Sequence, residues 1–242
     1  MANDPRVAAV VLAGGSGSRV GADRNKVYLP LAGRSVISWS LDAAAQIPGL
    51  TRLLLVVRAI DRDGVTELLQ REVPELPVEI VEGGATRHDS EWCALRHLEP
   101  RIGELDVVVI HDGARPLAPV ALMREVVRTA AEVGGAVPGY PGGALARLRP
   151  DDRLEELPGE AIRVQTPQAF AAGPLLEAYR KSQRDGFGGT DTAACIERYT
   201  DLPVHHVPSS AENLKITRAE DFPVAETILA LRLAPPPPPP LR

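Results

Sequence analysis

Short apolar runs alternate with longer amphipathic stretches from residue 7 to residue 133. The predicted strands are short, apolar runs rich in valine, leucine and isoleucine, at residues 7–12, 53–57, 78–81 and 106–110. The predicted helices have apolar positions at helical spacing, at residues 35–47, 65–72, 90–98 and 120–133. Strands that alternate with helices in this way predict βαβ units, an α/β fold and a mostly parallel sheet. Ligands usually bind at the edge where the parallel strands end.

The pattern changes at Gly134, where glycines and prolines begin to recur and continue to Pro167. No long helix fits such a stretch, so we predict an extended β-arm over about residues 134–164. Helical patterns resume at residues 174–181, 191–199 and 219–233, with a strand at 204–207. We predict a single domain over residues 1–233 and a disordered proline-rich tail over residues 234–242.

Composition and charge narrow the range of functions. The chain has 242 residues, with 27 Lys and Arg against 32 Asp and Glu, which gives a net charge of −5. This balance argues against a nucleic-acid-binding protein, because phosphate backbones select for basic surfaces. No run reaches the ~18 apolar residues of a membrane span, and the N-terminus lacks a secretory signal. We therefore expect a cytoplasmic protein that binds neither nucleic acid nor membrane.

The cysteines and histidines do not have the spacing of a metal site. Cys93 and Cys195 form no ligand pair, and we expect both in cores within a reducing compartment. His205 and His206 are adjacent in a predicted strand and so face opposite sides of the sheet. No protein metal site is predicted.

A glycine-rich loop, LAGGSGSR at residues 12–19, follows the first predicted strand. Glycines allow backbone N–H groups to approach a phosphate closely. The loop is not a P-loop, and it is not the dinucleotide fingerprint, because Val20 stands where a third glycine is needed. Arg19 and Lys26 add two cations that suit a triphosphate; the alternative is that both are solvated surface charges.

Two further motifs follow predicted strands. In EGGATRHDS, at residues 82–90, Ser90 either caps a helix or surrounds a base or ribose together with Gly83 and Gly84. In HDGARP, at residues 111–116, Asp112 is suited to a metal or a ribose hydroxyl, and Arg115 to a phosphate. The alternative for the second motif is an Asp–Arg pair that closes the turn.

Taken together, the motifs resemble the cytidylyltransferases that activate polyol phosphates, the family of the methylerythritol phosphate and ribitol phosphate enzymes. The matching segments occur in the family's order over nearly the whole chain: LAGGSGSR (12–19), the lysine segment from Lys26, EGGATRHDS (82–90), HDGARP (111–116), QTPQAF (165–170), GTDTA (189–193) and ENLKITRAED (212–221). The resemblance implies a Rossmann-like three-layer fold and a homodimer joined through the β-arm. It also implies transfer of CMP from CTP to a polyol phosphate, with Mg²⁺ held mainly by the CTP phosphates.

The resemblance also assigns roles to individual residues. It makes Arg19, Lys26 and Lys215 catalytic, because they neutralise charge where two anions meet. It assigns nucleotide binding to eight positions: Ala13, Gly14, Gly15, Gly17, Gly83, Gly84, Ser90 and Gly113. Asp112, Arg115 and Thr166 match positions that bind the acceptor substrate.

The chain departs from the family pattern mainly on the acceptor side. Pro158 stands where the family's arm has a phosphate-binding arginine, and residues 142–145 replace an Asp-Thr pair. Asn25 and Ala85 stand where proline and an acid are common. We expect methylerythritol 4-phosphate as acceptor because the resemblance makes it the commonest role in the family, and the departures keep two alternatives open. One is a related enzyme for ribitol 5-phosphate or another phosphate or phosphonate, and the other is a CTP-binding protein without turnover.

Overall fold

The structure, a computed structural model, describes residues 4–15 and 25–234. The sequence predictions for Gly17, Arg19 and the proline-rich tail beyond residue 234 fall outside these residues. Ten strands lie within the described ranges: β1 (Val7–Leu12), β2 (Pro30–Leu31), β3 (Arg34–Ser35), β4 (Leu50–Val57), β5 (Val78–Glu82), β6 (Val107–Asp112), β7 (Gly135–Leu148), β8 (Leu154–Val164), β9 (Gln168–Ala171) and β10 (Val204–Pro208).

The central sheet has the strand order β10-β7-β9-β6-β1-β4-β5, with β8 paired to β7 outside this path. β1 lies parallel to β4 and β6, β4 lies parallel to β5, and β7 lies parallel to β10. β9 is antiparallel to both of its neighbours, β6 and β7. The parallel strands β1, β4, β5 and β6 therefore end at one edge of the sheet, as the alternating sequence pattern predicted.

Seven α-helices connect the strands in the described part of the chain: α1 (Val36–Ala45), α2 (Arg62–Glu72), α3 (Arg87–Leu98), α4 (Val120–Val133), α5 (Ala172–Asp185), α6 (Thr192–Tyr199) and α7 (Asp221–Leu233). Helices α1, α2 and α4 pack on one face of the sheet, through side chains such as Leu41, Leu68 and Met123. Helices α3, α5 and α6 pack on the other face, where Leu95 and Tyr179 are fully buried. The predicted α/β fold with three layers is confirmed.

The predicted β-arm is a long antiparallel hairpin of β7 and β8. The first residues of β7 are buried in the sheet, whereas the later residues and nearly all of β8 are exposed. Several exposed apolar side chains lie on the hairpin: Leu145, Leu148, Leu154, Ile162 and Val164. These apolar side chains are largely open to solvent within the described chain.

The sequence pattern did not predict β9, and it placed several helix ends at the wrong residues. β9 is four residues long, and Ala169 and Phe170 are fully buried between β6 and β7. The helix predicted from residue 90 begins at Arg87, because Thr86 caps it. Cys195 is buried as expected, but Cys93 is only partly buried.

A small apolar cluster positions the segment before α7. Ile216 is fully buried against Leu31, Leu117 and Leu229, and its N–H donates to the Ala114 carbonyl over 2.8 Å. These contacts fix the backbone on either side of Lys215 beside the end of β6. No described helix is long and apolar enough to cross a membrane.

Candidate active site

A cavity of about 770 Å³ opens at the edge where β1, β4, β5 and β6 end. Its walls come from six places in the chain: the loop after β1, the turn at Lys26, Arg58 after β4, the turn between β5 and α3, the end of β6, and the segment before α7. The lining includes both polar backbone and charged side chains: Ala13, Gly14, Gly15, Asn25, Lys26, Arg58, Gly84, Thr86, Arg87, Ser90, Asp112, Lys215 and Thr217. A cavity of this size accommodates a nucleotide-sized ligand.

Asn25 ties the loop after β1 to the turn that carries Lys26. Its side-chain amide donates to the Ala13 carbonyl, and its Oδ1 accepts from the Val27 N–H. Asn25 is 1 % exposed, so these bonds satisfy polar groups that water cannot reach. In the sequence Asn25 was only a departure from the family pattern, whereas here it places Lys26 at the cavity wall.

The turn between β5 and α3 brings three glycines and Ser90 close together. A Cβ on Gly83 would lie 2.7 Å from Ser90 Oγ, and a Cβ on Gly14 would lie 3.2 Å from the same atom. A Cβ on Gly84 would lie 2.3 Å from Asp89 Cβ. Gly83 and Gly84 leave no room for a Cβ beside Ser90 and Asp89, whereas a Cβ on Gly14 would press against the Ser90 hydroxyl from the loop after β1. Gly84 and Ser90 line the cavity, while Gly83 packs behind Ser90.

Helix α3 begins with a capping box. Thr86 Oγ1 accepts from the Asp89 N–H over 3.1 Å, and the Asp89 carboxylate accepts from the Thr86 N–H over the same distance. The reading of Ser90 as the helix cap is wrong, since the Ser90 hydroxyl lies one turn into the helix and donates to the Thr86 carbonyl. Ser90 is thus left at the cavity wall without a capping role.

Asp112, the last residue of β6, is surrounded by three cationic side chains. Its Oδ2 lies 2.8 Å from Lys215 Nζ and 3.5 Å from Arg115 Nε, and its Oδ1 lies 3.5 Å from Arg87 Nε. Burial opposes the charge of Asp112, but the three cations outweigh it and hold the pKa of Asp112 well below its usual range. Asp112 is therefore an ionised carboxylate at the cavity wall.

His111 and Thr166 lie behind Asp112 and fix its backbone. The Asp112 N–H donates to Thr166 Oγ1 over 2.9 Å, and Thr166 Oγ1 lies 3.2 Å from His111 Nδ1. His111 Nε2 lies 3.2 Å from the Arg115 carbonyl, to which it must donate. Burial lowers the pKa of His111 to about 4, so the ring is neutral and its Nδ1 accepts from the Thr166 hydroxyl.

Arg115 and Asn213 join the end of β6 to the segment that carries Lys215. Arg115 Nη1 donates to the Asn213 carbonyl over 2.7 Å, and the Asn213 side chain donates to the Thr166 carbonyl over 2.9 Å. The Asp112–Arg115 pair that the sequence allowed as a turn closure is present at 3.5 Å. Three distant motifs, around Asp112, Thr166 and Lys215, are thus bound into one unit.

The structure brings most of the sequence-selected residues to this one edge. Among the described residues, those that line the cavity are Ala13, Gly14, Gly15, Lys26, Gly84, Ser90, Asp112 and Lys215. Four others lie behind this wall: Gly83, Gly113, Arg115 and Thr166. A Cβ on Gly113 would lie 2.5 Å from Ile37 Cδ1, so this glycine permits close packing of α1.

Sequence reasoning missed two arginines at the cavity wall. Arg58 follows β4 and forms a two-point ion pair with Asp61, at 2.7 and 2.8 Å. Arg87 is the first residue of α3 and contacts Glu91 and Asp112. The spacing of Arg87 and Glu91, four residues apart at the start of a helix, is the signal that could have drawn attention to them.

Comparison with protein families gives a match over nearly the whole chain. The family described as IspD, 2-C-methyl-D-erythritol 4-phosphate cytidylyltransferase, matches residues 7–231. A 2-C-methyl-D-erythritol 4-phosphate cytidylyltransferase from Prochlorococcus marinus is 37 % identical over 92 % of this chain and 98 % of that protein. The corresponding protein from Gloeobacter violaceus is also 37 % identical, over 93 % of this chain and 96 % of that protein.

Solved structures give the same result. The 4-diphosphocytidyl-2C-methyl-D-erythritol synthase from Anaerococcus prevotii superposes with a TM-score of 0.81 at 26 % identity, covering 93 % of this chain and 96 % of that one. The 2-C-methyl-D-erythritol 4-phosphate cytidylyltransferase from Thermus thermophilus superposes with a TM-score of 0.71 at 29 % identity, covering 92 % and 98 %. On the family match, the sequence identity and the shared fold, the chain belongs to the 2-C-methyl-D-erythritol 4-phosphate cytidylyltransferase family.

Proposed function

We propose that this protein transfers CMP from CTP to 2-C-methyl-D-erythritol 4-phosphate and releases pyrophosphate. Family membership supports the reaction. The structural observation that supports the same reaction in this chain is that the glycine-rich loop, Lys26, Arg87 and Lys215 line one and the same cavity. Cations around a nucleotide-sized space are what a reaction between two phosphate anions requires.

The reaction is a displacement at the α-phosphorus of CTP. An oxygen of the acceptor phosphate forms a new bond to the α-phosphorus, and the bond from that phosphorus to the oxygen bridging the β-phosphate breaks. Both reactants are anions, so alignment and charge neutralisation make up most of the catalysis. Lys26 and Arg19 stabilise the charge that develops on the α- and β-phosphates, and Lys215 neutralises the incoming acceptor phosphate.

The loop after β1 and the turn before α3 hold the nucleotide. The backbone at Gly14 and Gly15 faces the cavity and offers N–H donors to phosphates, whereas Ala13 lines the cavity while its N–H donates to the Val56 carbonyl. Gly84 and Ser90, on the neighbouring wall, contact the base or ribose. Gly83 and Gly113 act indirectly, because the lack of a side chain permits close packing of Ser90 on Gly83 and of Ile37 on Gly113.

Mg²⁺ fits this site as a partner of the triphosphate. Within the described ranges, no three Asp, Glu, His or Cys side chains are grouped to cage a metal, and Asp112 is the carboxylate that lines the cavity. Mg²⁺ is usually held by one or two carboxylates together with substrate phosphates and water. Bound in that way, it would neutralise charge on the CTP phosphates, which would supply most of its ligands, because Asp112 is already paired with three cations.

The acceptor binds on the side of Asp112, Arg115 and Thr166. Asp112 presents a carboxylate to the cavity and suits an acceptor hydroxyl, while Arg115 and Thr166 support its position. The hairpin departs from the family pattern here, so ribitol 5-phosphate stays a second candidate acceptor for the assay to decide. Pro158 leaves no cation at the arm position that binds the acceptor phosphate in the family, whereas Arg163 lies opposite Tyr140 nearer the sheet.

We also propose that the protein is a homodimer joined through the β7–β8 hairpin. The exposed leucines at the end of the hairpin lie on a two-stranded extension beyond the sheet. An isolated two-stranded ribbon is marginally stable in water, so a second copy that covers this surface would stabilise it.

The test is pyrophosphate release from CTP and Mg²⁺, with methylerythritol 4-phosphate and ribitol 5-phosphate assayed side by side. We expect release with methylerythritol 4-phosphate. Lys26→Ala and Arg19→Ala should each lower kcat by about 100-fold or more, because each removes charge stabilisation in the transition state. The matched control is Lys181→Ala, since Lys181 is an exposed lysine on α5. Release with ribitol 5-phosphate alone would favour the second candidate, and CTP binding without release would contradict both.

A further inference from the structure

The α3–α6 side of the cavity contains a buried polar network that the proposed reaction does not use. Its centre is Glu91, whose side chain is 1 % exposed. Thr192 Oγ1 donates to Glu91 Oε1 over 2.7 Å, and the Tyr179 hydroxyl donates to Glu91 Oε2. Arg87 Nη1 lies 2.5 Å from Glu91 Oε1, so the carboxylate has three partners from three helices.

Arg87 connects this network to the cavity. It lies between two carboxylates, Glu91 on the buried side and Asp112 on the cavity side, where its Nε is 3.5 Å from Asp112 Oδ1. Burial opposes the charge of Arg87, but Glu91 and Asp112 outweigh it and raise the pKa of Arg87. A guanidinium suits this place because its planar fork reaches two anions at once, which an ammonium does not.

We propose that Arg87 is a positioning residue for Asp112, held in place by Glu91 and Thr192. The two oxygens of Asp112 face different cations, with Oδ1 toward Arg87 and Oδ2 toward Lys215. Arg87 therefore limits rotation of the carboxylate and keeps Oδ2 at Lys215, which fixes the Lys215 ammonium at the cavity. Glu91 balances the charge of Arg87, so the network orients Asp112 while leaving Lys215 to meet an incoming anion.

The network also gives a role to the GTDTA segment at residues 189–193. Asp191 caps α6 by accepting from the Ala194 N–H over 2.9 Å, which sets the first turn of that helix. Thr192, the first residue of α6, is fully buried and donates to Glu91. The segment therefore affects the cavity indirectly, through Glu91 and Arg87. None of its residues is among the described residues that line the cavity.

The test is a double-mutant cycle of Arg87→Met and Asp112→Asn, measured as kcat and KM for CTP and for the acceptor. The proposal rests on the proposed function, in which Asp112 and Lys215 face the acceptor. Arg87→Met should lower kcat about tenfold, a loss within the range of coupling energies between residues in contact. It should change the KM for CTP by less than about twofold. In the Asp112→Asn background the same change should cost less than about twofold, because no carboxylate remains to orient.

Arg87→Lys separates charge from geometry, and Arg96→Met is the matched control. Arg87→Lys should retain less than half of the activity, since a point charge does not bridge both carboxylates. Arg96 is an exposed arginine on the same helix, and its substitution should leave both kinetic constants unchanged. Losses that are additive in the cycle, or full activity in Arg87→Met, would overturn the proposal.

Arg87→Met leaves Glu91 buried without its cation, which can prevent folding. The second variant, Arg87→Met with Glu91→Gln, removes both charges. Its one oxygen accepts from one of the two hydroxyls, Tyr179 or Thr192, and its NH2 group can donate to the other. It should fold and show the same loss of kcat. The same double-mutant cycle of Arg87 and Asp112 can be measured by urea unfolding, which requires no turnover. If the two residues are coupled in stability but the wild type is inactive, only the proposed function is contradicted. Absence of coupling in an active enzyme would contradict the positioning role alone.

Discussion

Lys215 Nζ lies 2.8 Å from Asp112 Oδ2, and this ion pair joins the segment before α7 to the end of β6. The two partners differ in exposure, with 39 % of the Lys215 side chain exposed but only 10 % of the Asp112 side chain. Asp112 also has Arg87 and Arg115 as cationic neighbours, so its charge does not depend on Lys215 alone. Lys215 is therefore the member of the pair that is available to an incoming anion.

Lys215→Met should separate catalysis from stability. We expect kcat/KM for the acceptor to fall by about 100-fold, because the cation that meets the second anion is lost. The free energy of unfolding should fall by less than about 3 kcal/mol, the cost of a fully broken buried pair, since Arg87 and Arg115 still neutralise the Asp112 carboxylate. Steady-state kinetics and urea unfolding measure the two effects, with Lys181→Met as the control. Unchanged kinetics would contradict the role of Lys215.

Glu72, at the end of α2, stabilises the start of α1. Its Oε2 accepts from the Ser35 N–H, the Ser35 hydroxyl and the Ser38 hydroxyl, at 2.7 to 2.8 Å. Burial opposes the charge of Glu72, but these hydrogen bonds lower its pKa to about 2. The carboxylate also lies at a helix N-terminus, where a negative charge is favourable.

Glu72→Gln should lower the free energy of unfolding by about 2 kcal/mol at pH 7, because charged hydrogen bonds are lost. The contribution of a carboxyl with a depressed pKa is present above its unfolded value, 4.5, and is lost as the pH falls toward about 2. The difference between wild type and variant should therefore shrink below pH 4.5. Urea unfolding over a pH series measures it, with the exposed Glu75→Gln as control; a constant difference would contradict the assignment.

His111 should make stability depend on pH in the range just below neutrality. Its pKa is about 4 in the folded protein against 6.5 for the free side chain, so the unfolded chain binds a proton first as the pH falls. The free energy of unfolding should decrease from pH 6.5 to pH 4, by up to about 3 kcal/mol for a shift of this size.

His111→Gln should remove that part of the pH dependence. Burial also lowers the pKa of His88, so the comparison of wild type with this variant isolates the effect of His111. His205→Gln, at an exposed histidine, is the control and should keep the wild-type profile. Equal pH dependence in wild type and His111→Gln would show that His111 is not the neutral, buried group described above.

The hairpin leucines should determine the oligomeric state. Leu148 and Leu154 are 66 % and 73 % exposed, and we expect Leu148→Ser with Leu154→Ser to convert a dimer to a monomer. Light scattering at micromolar concentration measures this, with twice the chain mass of 25.9 kDa expected for the wild type. Leu231→Ser removes an equally exposed leucine from α7 and should leave the mass unchanged. A wild-type monomer would contradict the proposed dimer.

The parallel half of the fold could be predicted from the sequence, since apolar runs such as β1 and β6 alternate with helical patterns. β9 could not, because its four residues are too few to show a period, and it is defined by pairing with β6 and β7. For the site, the glycines and Lys26 were found through loop position and resemblance. Arg87 was missed because its importance depends on Asp112, which is 25 residues away and meets it only in the folded chain.

β9 also determines when the open edge of β6 is covered and can no longer pair with another chain. Until residues 168–171 are available, β6 has β1 on one side only, and its other edge, with the sequence Val-Val-Val-Ile at 107–110, has no partner. An apolar, β-branched edge strand is a template for pairing between chains. A nascent or truncated chain that ends within the hairpin therefore presents this edge, and synthesis passes through about sixty residues before β9 covers it.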